Sequence, residues 1–204
     1  WDYNAAVWLH RVKQVYKDKL KIQWKHFSLE QNAYKIKTSK SNQTPESLSW
    51  KVWNQEDPTG CRSLVAAIVS ESVRKQGPEI FDKFHLALLT ARHNDPRRVS
   101  LQNYQEIFAV ANEVGVDLDR LKSDVTDDSI RGIIGKEHEY ADSLGIFGTP
   151  TFVFDDGEVV FLKTFTPAAE DSVAEFEHFL GVSRRSNIGE IKRPQPPWPK
   201  GVMD

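Results

Sequence analysis

The chain has a single cysteine, Cys61, among its 204 residues. A disulfide within this sequence and a Cys-X-X-Cys redox centre are therefore excluded. Neither sign of charge dominates, because 27 Lys and Arg stand against 29 Asp and Glu. That balance gives no indication of a nucleic-acid partner. No apolar run approaches the length of a membrane span and no signal peptide is visible, so we expect a cytoplasmic protein without a membrane partner.

The common catalytic and metal-binding signatures are also missing. The chain has no phosphate-binding glycine loop and no Gly-X-Ser-X-Gly turn, and its six histidines show no His-X-X-X-His spacing. We therefore predict no metal site and no bound cofactor. Glu137, His138 and Glu139 are adjacent on a predicted helix and point in different directions, so we expect a solvent-facing surface there.

What the chain does have is a glycine-rich turn that leads through Thr149 and Pro150 into an apolar strand, within residues 144–154. Proline cannot donate to a central strand ladder, and it is tolerated at the first residue of a strand. An X-Pro bond at such a place can be cis. The strand continues to an Asp-Asp-Gly turn at residues 155–157 and returns over residues 158–162, which predicts a β-hairpin.

A helix is predicted after this hairpin, with Thr166 as its N-cap, Pro167 as its first residue and Gly181 at its end. Far upstream, the alternation of residues 21–27 predicts a strand, and Thr44-Pro45 predicts the start of a helix. Apolar periodicity with Gly and Pro breakers predicts five further helices, at about residues 61–76, 79–91, 101–114, 117–125 and 128–144.

The order helix, Gly-Thr-Pro, strand, Asp-Gly turn, strand and helix resembles the C-terminal half of a thioredoxin fold. Residues 145–154, Gly-Ile-Phe-Gly-Thr-Pro-Thr-Phe-Val-Phe, are similar to the DsbA-like branch of that superfamily. Residues 24–31, Trp-Lys-His-Phe-Ser-Leu-Glu-Gln, resemble its second strand and the following loop. The branch includes DsbA-family and FrnE-type oxidoreductases and the glutathione-dependent 2-hydroxychromene-2-carboxylate isomerases.

The resemblance implies an α/β fold class, with a thioredoxin-like core and an inserted all-helical domain. The expected division of the chain has four parts. Residues 1–40 and 141–182 form the two parts of the core, residues 41–140 form the helical insertion, and residues 183–204 form a proline-rich tail.

The resemblance also implies where a site lies. In this branch a Cys-Pro-X-Cys or Cys-Pro-X-Ala motif follows an aspartate at the end of the first strand. The motif faces a cis-proline loop whose backbone holds the substrate. The matching positions here form the expected substrate-binding set, which is Asp2, Tyr3, Gly148, Thr149 and Pro150. The expected catalytic positions are Asn4, Thr149 and Pro150.

The cysteine of that motif does not follow Asn4 in this sequence. The segment between Asp2 and Trp24 is shorter than the family pattern, and the first strand that the fold requires is not seen before Trp1. Three interpretations stay open, namely a natural deletion, an engineered change, and residues left out of the sequence, of which we favour the last. Cys61 stands beside Arg62 near a helix start, where a lowered thiol pKa is conceivable, but we interpret it as a small filler of a packed helix.

Three functions follow from the resemblance. The first is a thiol-disulfide oxidoreductase acting on a thiol-containing protein or small molecule, with glutathione or another low-molecular-weight thiol as co-substrate. The second is a non-catalytic protein that holds a peptide or small molecule in the groove beside the cis-proline. The third is a glutathione-dependent isomerase or transferase. The exposed edge of such a sheet and the proline-rich tail are compatible with a homodimer.

Overall fold

The structure, a computed structural model, describes residues 1–40 and 49–191. The predicted helix start at Thr44-Pro45 and most of the proline-rich tail lie outside these residues. The chain divides into two compact units. The first is discontinuous and consists of Trp1–Gln23 together with the segment that begins at Gly148. The second, which we call the helical unit, is Trp24–Phe147.

The described helices and strands follow one another in a simple order. They are α1 (Asp2–Tyr16), α2 (Leu29–Ser39), α3 (Leu64–Arg74), α4 (Pro78–His93), α5 (Tyr104–Glu113), α6 (Leu118–Asp124), α7 (Ser129–Ser143), β1 (Thr151–Val153), β2 (Val159–Phe161) and α8 (Ser172–Ser183). Short 3-10 turns lie at Lys17–Lys19, Val52–Asn54 and Pro58–Gly60. The five helices predicted between residues 61 and 144 are confirmed as α3 to α7.

The start of α3 differs from the prediction by three residues. The Pro58–Gly60 turn comes first, and the carboxylate of Asp57 caps it by accepting from the Thr59 backbone N–H at 2.9 Å. Cys61 ends this turn instead of beginning the helix. Proline and glycine after a capping aspartate favour a turn, so the regular helix begins only at Leu64.

Helix α3 is the centre of the helical unit. Nine of its eleven residues are buried, because it carries apolar side chains on nearly every side. It packs against α4, α5, α6 and α7. Close packing elsewhere in this unit depends on Gly135 of α7, where an added Cβ would lie 2.6 Å from Nε1 of Trp53. Only glycine allows the indole to lie so near the helix backbone.

The discontinuous unit joins the two ends of the described chain. Trp8 of α1 is 2% exposed, and its indole N–H donates to the backbone oxygen of Ser172 at 2.8 Å. The same ring packs edge-on against Phe176 and Phe179 of α8, with centroids 5.9 Å away in both cases. Buried aromatic contacts of this kind therefore hold the N-terminal helix against the C-terminal one.

The predicted hairpin is confirmed in the same unit. Strands β1 and β2 pair antiparallel, with Thr151 opposite Phe161 and Val153 opposite Val159. The turn between them uses Gly157 at φ 89°, a left-handed conformation that glycine adopts without steric cost. The ring centroids of Phe152 and Phe179 lie 4.7 Å apart, so the hairpin also packs against α8.

The strand predicted at residues 21–27 is wrong. The segment belongs to no helix and pairs with no strand in the part of the chain that the structure describes. Side chains take the place of a strand partner, since the His26 N–H donates to Glu137 and the Trp24 carbonyl accepts from Arg74. The Ser28 N–H likewise donates to Nδ1 of His138. Backbone groups satisfied in this way do not need a sheet.

The helix predicted to begin at Thr166 and Pro167 begins instead at Ser172 and runs past Gly181 to Ser183. Residues 164–167 contact α1 rather than starting a helix of their own. The Pro167 carbonyl accepts from the Arg11 guanidinium at 2.8 Å. A capping sequence alone did not indicate this use of the segment.

The observed units also divide the chain differently from the predicted domains, since residues 24–40 lie with the helical unit and not with the core. Helix α2 explains the difference. Gln31 accepts from the Val52 N–H at 2.8 Å, and Lys35 forms an ion pair with Asp142 of α7 at 2.5 Å. Among the described residues, no helix combines the length and the apolar character needed to cross a membrane.

Candidate functional site

The start of α1 meets the turn that precedes β1. The Thr149 hydroxyl donates to Oδ2 of Asp2 at 3.1 Å. The Thr149–Pro150 peptide bond is cis. The Thr151 hydroxyl closes the turn by donating to the carbonyl oxygen of Gly148 at 2.7 Å. The structure thus brings together four of the predicted substrate-binding residues, Asp2, Gly148, Thr149 and Pro150, which we call the Thr-Pro site.

Gly148 lies close to the hairpin. A Cβ at this position would lie 3.2 Å from a ring carbon of Phe161. An alanine at this position would require the half-buried Phe161 ring to shift by a few tenths of an ångström. The glycine therefore lets the turn pass directly over the hairpin.

The other two predicted residues are placed differently. Tyr3 is 7% exposed and Asn4 is 4% exposed. The Asn4 amide donates to the Thr164 carbonyl at 3.0 Å and accepts from the Thr166 hydroxyl at 3.4 Å. The contacts of Asn4 therefore fix α1 against residues 164–166, on the inner side of the helix.

The Thr-Pro site offers hydrogen-bonding groups and one carboxylate. Asp2 lies in the first turn of α1, where the free N–H groups of a helix favour negative charge. Next to it, the Trp1 ring packs edge-on against Phe165 with centroids 5.3 Å apart. These groups can orient a ligand, but none of them carries sulfur, so they supply no thiol nucleophile.

Cys61 belongs to the helical unit, whereas the Thr-Pro site belongs to the discontinuous unit. The residue is 5% exposed, and its Sγ lies 3.9 Å from the Asp57 carbonyl oxygen. Burial raises the pKa of the Cys61 thiol, and the negative charges of Glu30 and Asp57 raise it further. The prediction that Arg62 lowers the pKa of the Cys61 thiol is therefore wrong. The interpretation of Cys61 as a small filler of the packed interior agrees with its burial.

A second polar cluster, which we call the His26 cluster, joins His26, Glu71 and Glu137 inside the helical unit. Nε2 of His26 lies 2.8 Å from Oε1 of Glu71, and the His26 backbone N–H donates to Oε2 of Glu137 at 2.8 Å. Burial opposes ionisation of Glu71, but the hydrogen bond and charge of His26, together with Arg74, outweigh it and lower the pKa of that carboxyl.

Sequence reasoning missed this cluster. Its members lie on an extended segment, on α3 and on α7, and no spacing motif connects them. The solvent-facing surface expected at Glu137, His138 and Glu139 is confirmed for Glu139, which is exposed, and is wrong for His138. His138 is 4% exposed, its ring stacks on Phe27 at 4.7 Å, and burial lowers its pKa. His138 is buried because Phe27 and Ser28, from the segment that contains His26, contact its ring. The apolar periodicity of one helix does not reveal a contact with a distant segment.

Comparison with known proteins bears on the Thr-Pro site. The model of the DSBA-like thioredoxin domain family matches residues 1–174 of the chain. That span includes α1, the Thr-Pro site, the hairpin and the whole helical unit. No curated protein matches the chain significantly. Since the family model covers most of the sequence, from the first residue into α8, the chain belongs to the family of DSBA-like thioredoxin domains.

Proposed function

We propose that this chain acts in thiol-disulfide exchange, and that the Thr-Pro site is its substrate-binding half. The observation that carries the proposal is the 3.1 Å contact between the Thr149 hydroxyl and the Asp2 carboxylate. It joins the first turn of α1 to the proline turn, and these are the two places where the DsbA-like branch assembles its site. An extended thiol-containing chain or a small thiol would lie against the turn, beside the helix start.

Exchange itself needs a thiolate that attacks a disulfide sulfur and forms a mixed disulfide, while the second sulfur leaves as a thiolate. Cys61 is buried and its pKa is raised, so it is unsuited to that role. The proposal therefore requires a nucleophilic cysteine that these 204 residues do not contain, as in the family's Cys-Pro-X-Ala or Cys-Pro-X-Cys motif. With a single motif cysteine, a small thiol such as glutathione would attack the mixed disulfide and release the cysteine.

A second candidate function is a binding protein without thiol chemistry at the same site. It is favoured by one observation, that a carboxylate and not a thiol of α1 faces Thr149. Such a protein would hold a peptide or small molecule, and alkylation of thiols would leave the binding unchanged. The isomerase alternative lacks comparable support, because the Asn4 amide that stands nearest its key position is engaged by Thr164.

The first experiment is the intact mass of the protein expressed from its natural gene, before and after thiol alkylation in denaturant. A chain heavier than 23.3 kDa with one or two thiols beyond Cys61 supports exchange. A mass of 23.3 kDa with one alkylated thiol contradicts it and leaves the binding protein.

A second experiment tests the site itself. Reduction of a disulfide-bonded peptide by glutathione is followed with wild type, Thr149→Val and the control Thr126→Val. The Thr126 hydroxyl donates to the Ser123 carbonyl within its own turn of the helical unit. Exchange predicts a lower rate for Thr149→Val and an unchanged rate for Thr126→Val. Equal rates for all three proteins would show that the Thr-Pro site takes no part in the reaction.

A further inference from the structure

The His26 cluster contains three side chains whose donor atoms suit a metal ion. Their candidate ligand atoms, one on each residue, all lie within 4.8 Å of one another. We propose that His26, Glu71 and Glu137 bind a divalent transition-metal cation, with Zn²⁺ and Mn²⁺ as the ions that fit the donor set. The proposal concerns the helical unit and does not depend on thiol-disulfide exchange.

The distances within the cluster are close to those around a bound ion. Ligand atoms at about 2.0–2.2 Å from one metal ion lie roughly 3 Å from each other. Nε2 of His26 and Oε1 of Glu71 are already 2.8 Å apart. The widest separation is within 4.8 Å, so a bound ion would have to draw the third ligand closer by rotation of its side chain.

A backbone hydrogen bond orients the third ligand, Glu137. Glu137 reaches from α7 to the extended segment, where its Oε2 accepts from the His26 backbone N–H at 2.8 Å. This bond places the carboxylate beside the residue whose imidazole would bind the ion. Carboxylates that bind metals are commonly oriented by such a hydrogen bond from outside the coordination sphere.

Burial gives the cluster a reason to hold positive charge. The side chains of Glu71 and Glu137 are 4% and 12% exposed. Buried carboxylates are costly unless a cation or several donors compensate them. In the metal-free protein Arg74 and Lys25 do so, with Nε of Arg74 2.8 Å from Glu71 and Nζ of Lys25 2.7 Å from Glu137.

These two cations do not block the site. Each is more exposed than the carboxylate it pairs with, at 31% for Arg74 and 59% for Lys25. Lys25 is a long flexible side chain that can turn toward solvent when a metal ion enters. Arg74 is also held by the Trp24 carbonyl at 2.9 Å and over the Phe81 ring, so only its Nε contact with Glu71 would give way to the ion. An imidazole nitrogen would then bind the ion together with two carboxylates, a set that suits Zn²⁺ and Mn²⁺ and leaves positions for water.

Calorimetric titration of Zn²⁺ and of Mn²⁺ into the full chain tests the proposal. Wild type is compared with His26→Gln and Glu137→Gln, and with two matched controls on exposed residues, His178→Gln of α8 and Glu139→Gln of α7. A Cys61→Ser protein is included, because the thiol is an alternative ligand for Zn²⁺. We expect wild type to bind one equivalent of ion. Each cluster variant should lower the binding affinity by about tenfold or more, and the other substitutions should leave the affinity unchanged.

Other outcomes overturn the proposal. Absence of binding, or equal losses in the cluster variants and the controls, would mean that the His26 cluster is an ion-pair network only. Circular-dichroism melting shows whether the variants fold. If they do not, paramagnetic broadening by Mn²⁺ in wild type decides the matter, since broadening must centre on the amide signals of residues 25–27, 71 and 137. Broadening elsewhere would reject the site.

Discussion

The Thr149 hydroxyl and the Asp2 carboxylate lie 3.1 Å apart although 147 positions of sequence separate them. The contact fixes the first turn of α1 against the Thr-Pro turn through side chains alone. Loss of either side chain should therefore loosen the site without unfolding the hairpin, whose ladder of backbone bonds is separate.

This relationship predicts a measurable coupling. We expect Thr149→Val and Asp2→Ala each to lower the free energy of unfolding by about 0.5–1.5 kcal/mol, because a hydrogen bond to a charged, partly buried group is lost. The double variant should lose less than the sum of the two. Urea denaturation of all four proteins measures the coupling, and strict additivity would show that the contact contributes nothing.

Asn4 should matter more for stability than its polar character suggests. Asn4→Ala removes a buried amide and leaves the partly buried Thr164 carbonyl without its donor, so we expect a loss of about 1–3 kcal/mol in the free energy of unfolding. Asn32→Ala is the control, because Asn32 donates to the Phe147 carbonyl at an exposed position. A control as damaging as Asn4→Ala would contradict the structural role of Asn4.

Two glycines of α7 offer a matched comparison. Gly135→Ala places a methyl group 2.6 Å from the Trp53 indole nitrogen, so we expect destabilisation by about 1–3 kcal/mol. Gly132→Ala meets no atom within 4 Å, so the better helix propensity of alanine should stabilise by up to about 1 kcal/mol. Thermal or urea denaturation distinguishes the two, and opposite signs are the expected result.

The Cys61 thiol should resist alkylation until the protein unfolds. Its burial and raised pKa leave little accessible thiolate at pH 8. Mass spectrometry after iodoacetamide treatment should find the native chain unmodified at Cys61 and the denatured chain modified. Rapid modification of Cys61 in the native protein would show that the residue is reactive after all.

His85 should make stability depend on pH. Burial between Trp24 and Phe81, followed by the positive charges of His26 and Arg74, lowers its pKa from 6.5 to about 4. Between pH 6.5 and 4 the unfolded chain therefore binds a proton at His85 that the folded chain does not. The contribution of neutral His85 to stability is complete above pH 6.5 and is lost as the pH falls to about 4. The loss is at most about 3 kcal/mol.

The pH prediction is measured as the difference between wild type and His85→Phe in the free energy of unfolding from pH 7 to pH 4. The variant removes this titration but keeps an aromatic ring against Trp24. Identical pH profiles for the two proteins would mean that His85 titrates normally in the folded state.

Local signals predicted much of the fold. Asp-Gly at residues 156–157 and the apolar residues on either side predicted the hairpin, and Gly77-Pro78 located the break between α3 and α4. Such signals work because turn and breaker residues act on their own backbone. The strand at residues 21–27 failed for the opposite reason. A strand exists by pairing, and side chains of distant helices satisfy this segment instead.

The same distinction applies to the two polar sites. The Thr-Pro site was predicted because Gly148, Thr149 and Pro150 are consecutive and resemble a known family. Asn4 looked equally suitable by position, but its burial depends on residues 164–166, which a local pattern does not include. The His26 cluster draws its members from three separate segments, so no pattern within one segment could identify it.

The packing of α1 against α8 has a consequence for how the chain folds as it is synthesised. The helical unit is contiguous, so all its residues have been made once Phe147 leaves the ribosome. Helix α1 is made before the helical unit but buries Trp8 against Ser172 and Phe176, which are made after it. The Trp8 face therefore lacks these partners while the helical unit is being made, and exposed apolar surface of this kind makes a nascent chain prone to aggregation.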